Sequence, residues 1–301
     1  RVVDAEGRGS LRLGRAAHEI EATFASGQII ADALYSLGRS DETESVLADL
    51  EDEASDDNQR ATLVRVRVYN RYWHDSDLPA AVGVIEQGRR VISDADQLAE
   101  LEGLQAVLEV TSHDPLQGVE RGMALLAEPY DRAVVQATLA TSLGLPLVGR
   151  AAEAAATVEI GIRAYSRLGG QLTLYEPSLL HVAEALAVAC LGGLEEAERL
   201  AAIGYEKALI DDDAAGWAFF AQARGLVALE QGRLDDAIRW WTEASGLFRF
   251  VNHHGPLGWS LIGLTLAHAM QGEVGPADAA LAEEAQLAHP ADFHGLNRHR
   301  A

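Results

Sequence analysis

The sequence is short of cysteine and lysine, and each shortage excludes a class of protein. The one cysteine in 301 residues, Cys190, excludes an internal disulfide framework and suits a reducing compartment. The one lysine, Lys207, follows Glu206 in an apparent helix, so the chain has no phosphate-binding GxxxxGK[ST] loop. The same shortage leaves little basis for covalent catalysis by lysine.

Catalytic and metal motifs are also missing. No GxSxG motif is present, and Cys190 lies in the apolar run LAVACLGG, where we expect a buried and inert thiol. His253 and His254 are adjacent and lack the cysteines or spaced carboxylates of a metal site. We therefore expect no catalysis, no metal and no cofactor in this chain.

Two further absences concern location and partners. No apolar run of 18 residues is free of charge, and no basic-then-apolar leader is present, so we expect a cytoplasmic protein without a membrane contact. The net charge of -22 argues against direct binding of nucleic acid, which requires clustered Lys and Arg. An acidic surface also has a simple role, because it keeps an apolar helical array soluble.

What the chain does contain favours helices. Hydrophobic residues make up 48% of the sequence and are mostly Ala and Leu, which are strong helix formers. Proline is tolerated in the first turn of a helix, where its missing N–H has no partner. Six of the eight prolines stand where a helix is predicted to begin, namely Pro79, Pro115, Pro129, Pro177, Pro256 and Pro276.

A repeat of forty residues organises the C-terminal half. Its anchors are a glycine and an alanine five residues later, at Gly192, Gly232 and Gly272. The glycine supplies a left-handed turn between two helices. Around Gly232, a small residue at Gly225 allows close helix approach, and the following helix carries a stripe of Ala237, Trp241 and Ala244. Each unit is therefore predicted to be a helix hairpin.

Extending this frame towards the N-terminus, with drift, predicts about seven hairpins. The anchors Gly225, Gly232, Ala237, Trp241 and Ala244 resemble those of the tetratricopeptide repeat, although units near forty residues are longer than usual. The resemblance implies an all-α, right-handed α-α superhelix. We place a lead-in at 1–23, the superhelix at 24–288 with units starting near 24, 61, 100, 135, 178, 218 and 258, and a tail at 289–301 toward an absent module.

The style of the repeats resembles one group of regulators more closely. The segments ALEQGRLDDAIRWWTEA (228–244) and LTLAHAMQGEVGPADAALAEEA (264–285) are similar to the repeat region of large ATP-dependent LuxR-type, MalT-like transcription regulators. In such proteins a nucleotide-binding module precedes the repeats and a helix-turn-helix follows them. The resemblance implies a sensor segment, with ATP expected only for the absent module.

Two candidate binding surfaces lie on first helices of the hairpins, which line the inner wall of such superhelices. Aromatic rings give contact area and arginine gives directed donors, so these side chains suit a ligand, although Tyr69 and Trp73 equally suit core packing. The second surface is more apolar and is also open to interpretation as ordinary core. The first surface comprises Arg65, Tyr69, Tyr72 and Trp73, and the second comprises Phe219, Gln222, Leu226, Trp259 and Ile262.

These observations leave two main hypotheses. The first is the non-catalytic sensor segment of a transcription regulator, binding a small-molecule effector or a protein on its concave face. The alternative is a stand-alone repeat scaffold that binds a peptide or protein. Either chain is compatible with a homo-oligomer, and an enzyme built on the helical array is a third and weaker hypothesis.

Overall fold

The structure is a computed structural model that describes residues 5–112, 114–169, 176–211 and 213–287. These residues form fifteen α-helices and one π-helical turn, with no strand among them, so the prediction of an all-α chain is confirmed. The α-helices are α1 (Ala5–Ile20), α2 (Phe24–Ser36), α3 (Ser40–Glu51), α4 (Asp57–Tyr69), α5 (Leu78–Val91), α6 (Ala95–Thr111), α7 (Pro115–Leu125), α8 (Asp131–Leu147), α9 (Ala151–Arg167), α10 (Glu176–Cys190), α11 (Leu194–Ile210), α12 (Ala214–Glu230), α13 (Leu234–Phe250), α14 (His254–Gln271) and α15 (Val274–Glu284), and the π-helical turn is Asn70–His74.

Helices α2 to α15 pair as seven consecutive hairpins, which confirms the predicted α-α superhelix. The first helices of neighbouring hairpins contact each other, as α6 does with α8 and α10 with α12. They form an inner layer, and the second helices cover it from outside. The layers differ in burial: α8 buries most of its residues, whereas α9 buries only one face.

Glycine forms the turn inside the regular hairpins. Gly192, Gly232 and Gly272 have φ angles of 83°, 72° and 78°, in the left-handed region that penalises every residue with a Cβ. The N–H after each glycine returns to a carbonyl near the end of the first helix, as Arg233 N does to Ala228 O at 2.9 Å. The forty-residue spacing of these glycines in the sequence is thus the spacing between the ends of successive first helices.

Small residues let the helices approach, and Trp241 fills the space between them. A Cβ added to Gly225 would lie 2.7 Å from Trp241 Nε1, and one added to Gly263 would lie 2.4 Å from the same ring. Ala237 and Ala244 are fully buried on the same face of α13 as Trp241. The predicted stripe therefore packs against α12 and α14 together.

The second hairpin departs from this pattern at its turn. No glycine stands there, and α4 continues into the π-helical turn before Ser76 adopts a left-handed conformation with a φ of 55°. A π-helical turn is rare and is frequently found at functional sites. The second hairpin has Asp75, and no glycine, directly after the π-helical turn, so this departure from the repeat pattern coincides with a change of backbone geometry.

The residues predicted as a lead-in contain a helix that belongs to the array. Helix α1 packs on α2, and Gly14 makes this approach possible because a Cβ there would lie 3.0 Å from Ile29 and 3.1 Å from Ile30. The predicted tail at 289–301 lies outside the described residues.

The position of Cys190 and the hydropathy of the helices bear on two expectations from the sequence. Cys190, expected to be buried, is exposed at the last residue of α10, because the apolar run that contains it ends where the helix ends. Within the ranges given above, no helix is long and apolar enough to cross a membrane.

The two ends of the superhelix meet. The turn at Gly38 touches the turn after α13, where a Cβ on Gly38 would lie 2.8 Å from Val251 O. The π-helical turn contacts α14, and Trp259 of α14 packs against the hydrophobic cluster of the N-terminal hairpins. The inner layer therefore encloses a space instead of lining an open groove.

Candidate functional site: the inner-wall cleft

Residues from both predicted surfaces line one narrow cleft between the first helices. Tyr69 and Trp73 come from the second hairpin, Phe219 and Gln222 from α12, and Trp259 from α14. The two residues of the second hairpin precede those of α12 and α14 by about 150 to 190 positions in the sequence, and closure of the array brings the two groups together. The other lining residues are Val107, Thr111, Leu139, Leu143, Leu179, Val182, Leu186 and Pro256.

The cleft is closed in this structure. Its volume is about 40 Å³, which is room for no more than a few water molecules. Pockets that hold small molecules usually measure about 300 to 1,000 Å³. A ligand therefore needs the first helices to move apart before it enters.

Polar groups in the cleft hold neighbouring helices together. The Tyr69 hydroxyl donates to Gln136 Oε1 at 2.8 Å and connects α4 to α8. Gln222 Nε2 donates to Pro256 O and to Ser260 Oγ, both at 3.0 Å, and connects α12 to α14. The described residues of the lining include no charged side chain, so the cleft suits an uncharged and largely apolar ligand.

Four predicted residues are placed away from the cleft, and one of them, Leu226, is partly buried against the C-terminal hydrophobic cluster. Arg65 is buried under α6, where its Nη1 donates to Glu100 Oε1 at 2.5 Å, and the second Glu100 oxygen lies 3.9 Å from Arg132. The Tyr72 hydroxyl donates to Thr111 at 2.9 Å, and burial raises the pKa of this phenol. Arg65 and Tyr72 therefore stabilise the contact between hairpins, and Ile262 is half-buried outside the cleft lining.

A buried cluster of histidines and aromatic rings closes the array beside the cleft. The His74 ring stacks on Tyr35 at a centroid distance of 4.5 Å and lies 4.9 Å from His253, which in turn lies 6.4 Å from Trp73. Both histidines are 1% exposed. We call Tyr35, Trp73, His74 and His253 the histidine latch, because they join the second hairpin to the start of α14.

Burial keeps the latch uncharged. It lowers the pKa of His74 to about 3, with a smaller contribution from repulsion by His254, and it lowers the pKa of His253 well below its ordinary value. Neither His74 ring nitrogen has a hydrogen-bond partner in the part of the chain that the structure describes. The left-handed residues Ser76 and Asn252, with φ angles of 55° and 57°, flank the latch and add backbone strain.

Sequence reasoning missed the latch. From the sequence, the adjacent pair His253 and His254 suggests only the question of a metal site. Within the described residues, no group of three or more potential metal ligands is found. His253 is instead the residue before α14, and its partner His74 is distant in sequence. No local pattern links the two positions.

Comparison with known proteins places the fold. The crystal structure of a Rap protein complexed with competence and sporulation factor is similar, with a TM-score of 0.63 and 13% identity over 87% of this chain and 75% of that chain. The fold is that of a tetratricopeptide-like helical repeat. BtubC from P. vanneervenii matches with a TM-score of 0.40 and 14% identity, over 94% of this chain and 88% of that chain. No protein-family model matches the sequence, and no curated protein does.

Proposed function

We propose that the chain is a non-catalytic repeat scaffold that binds an extended peptide, or an extended segment of a protein, in the inner-wall cleft. The observation that carries this proposal is the convergence of Tyr69, Trp73, Phe219, Gln222 and Trp259 on one cleft. Three of the four aromatic rings are largely buried there, and Trp259 is partly buried. Such rings offer large contact area at a small entropic cost.

The chemistry of the cleft favours a peptide. Its wall is apolar, and its amide and hydroxyl groups bond across helices through Gln222 and Tyr69. The same groups suit the N–H and C=O of a peptide backbone if the helices separate. A similar fold crystallised with a bound factor, the Rap protein, supports a partner at such an array.

Opening is part of the proposal. Because the cleft holds only about 40 Å³, the binding-competent state is a minor population in which the first helices are further apart. The apparent affinity is reduced by the fraction of molecules that are open. The histidine latch joins the two ends of the array, and its contacts must loosen as the cleft widens.

The test begins with peptides selected from a phage-displayed random library on the immobilised, folded chain. Binding of a labelled selected peptide is measured by fluorescence anisotropy. Trp259→Ala removes one ring from the cleft wall, and we expect a loss of affinity of at least about tenfold. Circular dichroism of the variant checks that the helical fold is retained.

Trp217→Ala is the matched control, because it makes the same change outside the cleft. Trp217 lies on α12, and its Nε1 donates to Glu243 at 2.8 Å. We expect its affinity to remain close to that of the unaltered chain. Equal affinity of the Trp259→Ala variant, with the fold retained, would contradict a site in the cleft.

A finer proposal assigns the scaffold to a transcription regulator as its sensor segment, responding to a small-molecule effector or a protein. It is supported by the resemblance of residues 228–244 and 264–285 to the repeats of LuxR-type, MalT-like regulators. Sequencing the parent gene tests it directly. A nucleotide-binding module before the repeats and a helix-turn-helix after them are expected, and their absence would contradict the assignment.

A further inference from the structure

A second concave surface lies on the outside of the array, between α1, the turn after α2 and the end of α13. Its volume is about 720 Å³, within the usual range of binding sites. None of its described lining residues also lines the inner-wall cleft. We call it the arginine groove, and it is lined by Arg8, Leu11, Arg12, Arg15, Ala16, Glu19, Leu37, Arg39 and Phe250.

Among the described residues, the lining of the arginine groove is mainly basic, whereas the protein as a whole is acidic. The chain carries 46 acidic and 24 basic residues, yet the described residues that line this groove include four arginines and a single carboxylate. The nearby Glu42 is shared, since both Arg15 and Arg39 form an ion pair with it. Within the described residues, Arg15 and Arg39 thus share one carboxylate.

Arg12 offers a charge to a partner. It is exposed on α1 and has no ion pair with any residue in the described part of the chain. Elsewhere exposed arginines commonly have a carboxylate partner, as Arg199 does with Glu196 at 2.5 Å. An unpaired guanidinium in an acidic protein is suited to a carboxylate from outside, because its planar fork can bind both oxygens.

The groove also offers apolar contacts. Leu11 is 6% exposed and belongs to the small core between α1 and α2. Phe250, the last residue of α13, is 47% exposed at the edge of the groove. An occupant with carboxylates and an apolar side chain can therefore use both parts of the surface.

We propose that the arginine groove is a second binding site, for an acidic amphipathic segment of a partner protein. Carboxylates of the segment pair with Arg12 and its neighbouring arginines, and an apolar side chain packs on Leu11 and Phe250. A phosphate backbone is disfavoured, because the net charge of -22 repels a long polyanion outside this one groove. The site does not depend on opening of the inner-wall cleft.

The experiment measures binding of a short fluorescein-labelled helical peptide of Glu and Leu to the full chain by fluorescence anisotropy. The change Arg12→Glu reverses one charge on the exposed side of α1. We expect it to weaken binding by at least about tenfold. Raising NaCl from about 0.05 to about 0.5 M should also weaken binding, because exposed charge pairs are screened.

Arg90→Glu is the matched control. Arg90 is likewise exposed on a helix and forms no ion pair with the described residues, but it lies on α5, away from the groove. We expect this variant to bind the peptide as the unaltered chain does. An equal loss in the Arg90→Glu variant would overturn the proposal, since it would show attraction by overall charge only.

Two further probes define the site. A peptide with Gln in place of every Glu should not bind, and single-stranded DNA should bind more weakly than the acidic peptide. Binding of the Gln peptide with equal affinity, or tighter binding of the DNA through the same arginines, would overturn the proposal. Trp259→Ala should leave the acidic peptide's affinity unchanged, so failure here is distinguishable from failure of the inner-wall site.

Discussion

At the scale of single residues, burial decides what a polar side chain does. Arg65 shares a helix face with Tyr69, and from sequence the pair is typical of a ligand-binding wall. In the structure the arginine is 1% exposed and its charge is matched by Glu100, which is fully buried. Removing either partner would leave an unpaired buried charge. The pair therefore fixes the contact between hairpins and is not available to a ligand.

The histidine latch makes the stability of the protein depend on pH. In the folded chain burial holds the pKa of His74 at about 3, whereas the unfolded chain titrates near the ordinary value of about 6.5. Below that value the unfolded state binds protons that the folded state does not. The free energy of unfolding therefore falls as pH falls from about 6.5 towards about 3, by about 1.4 kcal/mol per pH unit for each such histidine.

The measurement is urea unfolding at a series of pH values, for the unaltered chain and for His74→Phe. Phenylalanine keeps the stacking on Tyr35 and loses no hydrogen bond to the described residues. We expect the variant to lose less stability between pH 7 and pH 5. His181→Gln, at an exposed position on α10, should follow the unaltered chain. A slope unchanged by His74→Phe would show that this histidine does not titrate as its burial implies.

At the scale of helices, glycine positions are the most predictive feature of the sequence. Gly225 and Gly263 are the close-approach positions of α12 and α14 against Trp241. Alanine at Gly263 would place its Cβ 2.4 Å from the ring, so either the ring or the helix must shift. We expect Gly263→Ala to lower the free energy of unfolding by about 1 to 3 kcal/mol, the usual cost of overpacking.

Gly246 supplies the control for this prediction. It lies within α13, and a Cβ there would meet nothing within 4 Å. Gly246→Ala should raise the free energy of unfolding by about 0.5 to 1 kcal/mol, because alanine favours the helix. Thermal and urea unfolding of both variants measure the difference. If Gly263→Ala were also stabilising, the close contact with Trp241 would not exist in solution.

Local sequence patterns predict the regular turns of the array but not the π-helical turn. The turns at Gly192, Gly232 and Gly272 follow from local chemistry, since a left-handed residue without a Cβ is needed there, and the hairpins follow from the turns. The π-helical turn at Asn70–His74 follows from no such rule. Its glycine is missing, and the backbone is held by long-range contacts to α14.

At the scale of the whole molecule, closure of the array creates the cleft. Small rotations between hairpins add over seven units, and only their sum brings Trp259 against Tyr69 and Trp73. Each candidate surface is recognisable locally, because its residues lie on one helical segment or on the first helices of two neighbouring hairpins. The single cleft that the two surfaces form together is not recognisable from the sequence, because it depends on the curvature of every unit between them.

Closure also predicts that locking the two ends together will exclude a ligand from the cleft. A Cβ built on Gly38 lies 2.9 Å from the Cβ of Asn252, close enough for a disulfide after a small adjustment. The variant is Gly38→Cys with Asn252→Cys, made with Cys190→Ser to remove the exposed native thiol. Both positions have positive φ, so the reduced form will be somewhat less stable than the unaltered chain.

Under oxidising conditions we expect the locked protein to bind a cleft-selected peptide at least about tenfold more weakly, because the open population is removed. Dithiothreitol should restore the affinity in the same sample, which makes the reduced variant its own control. The single variant Gly38→Cys should not respond to reductant. Unchanged affinity of the oxidised protein would contradict this prediction. It would mean that the ligand enters while the turn at Gly38 stays beside Asn252, so that the array opens on a side away from the histidine latch.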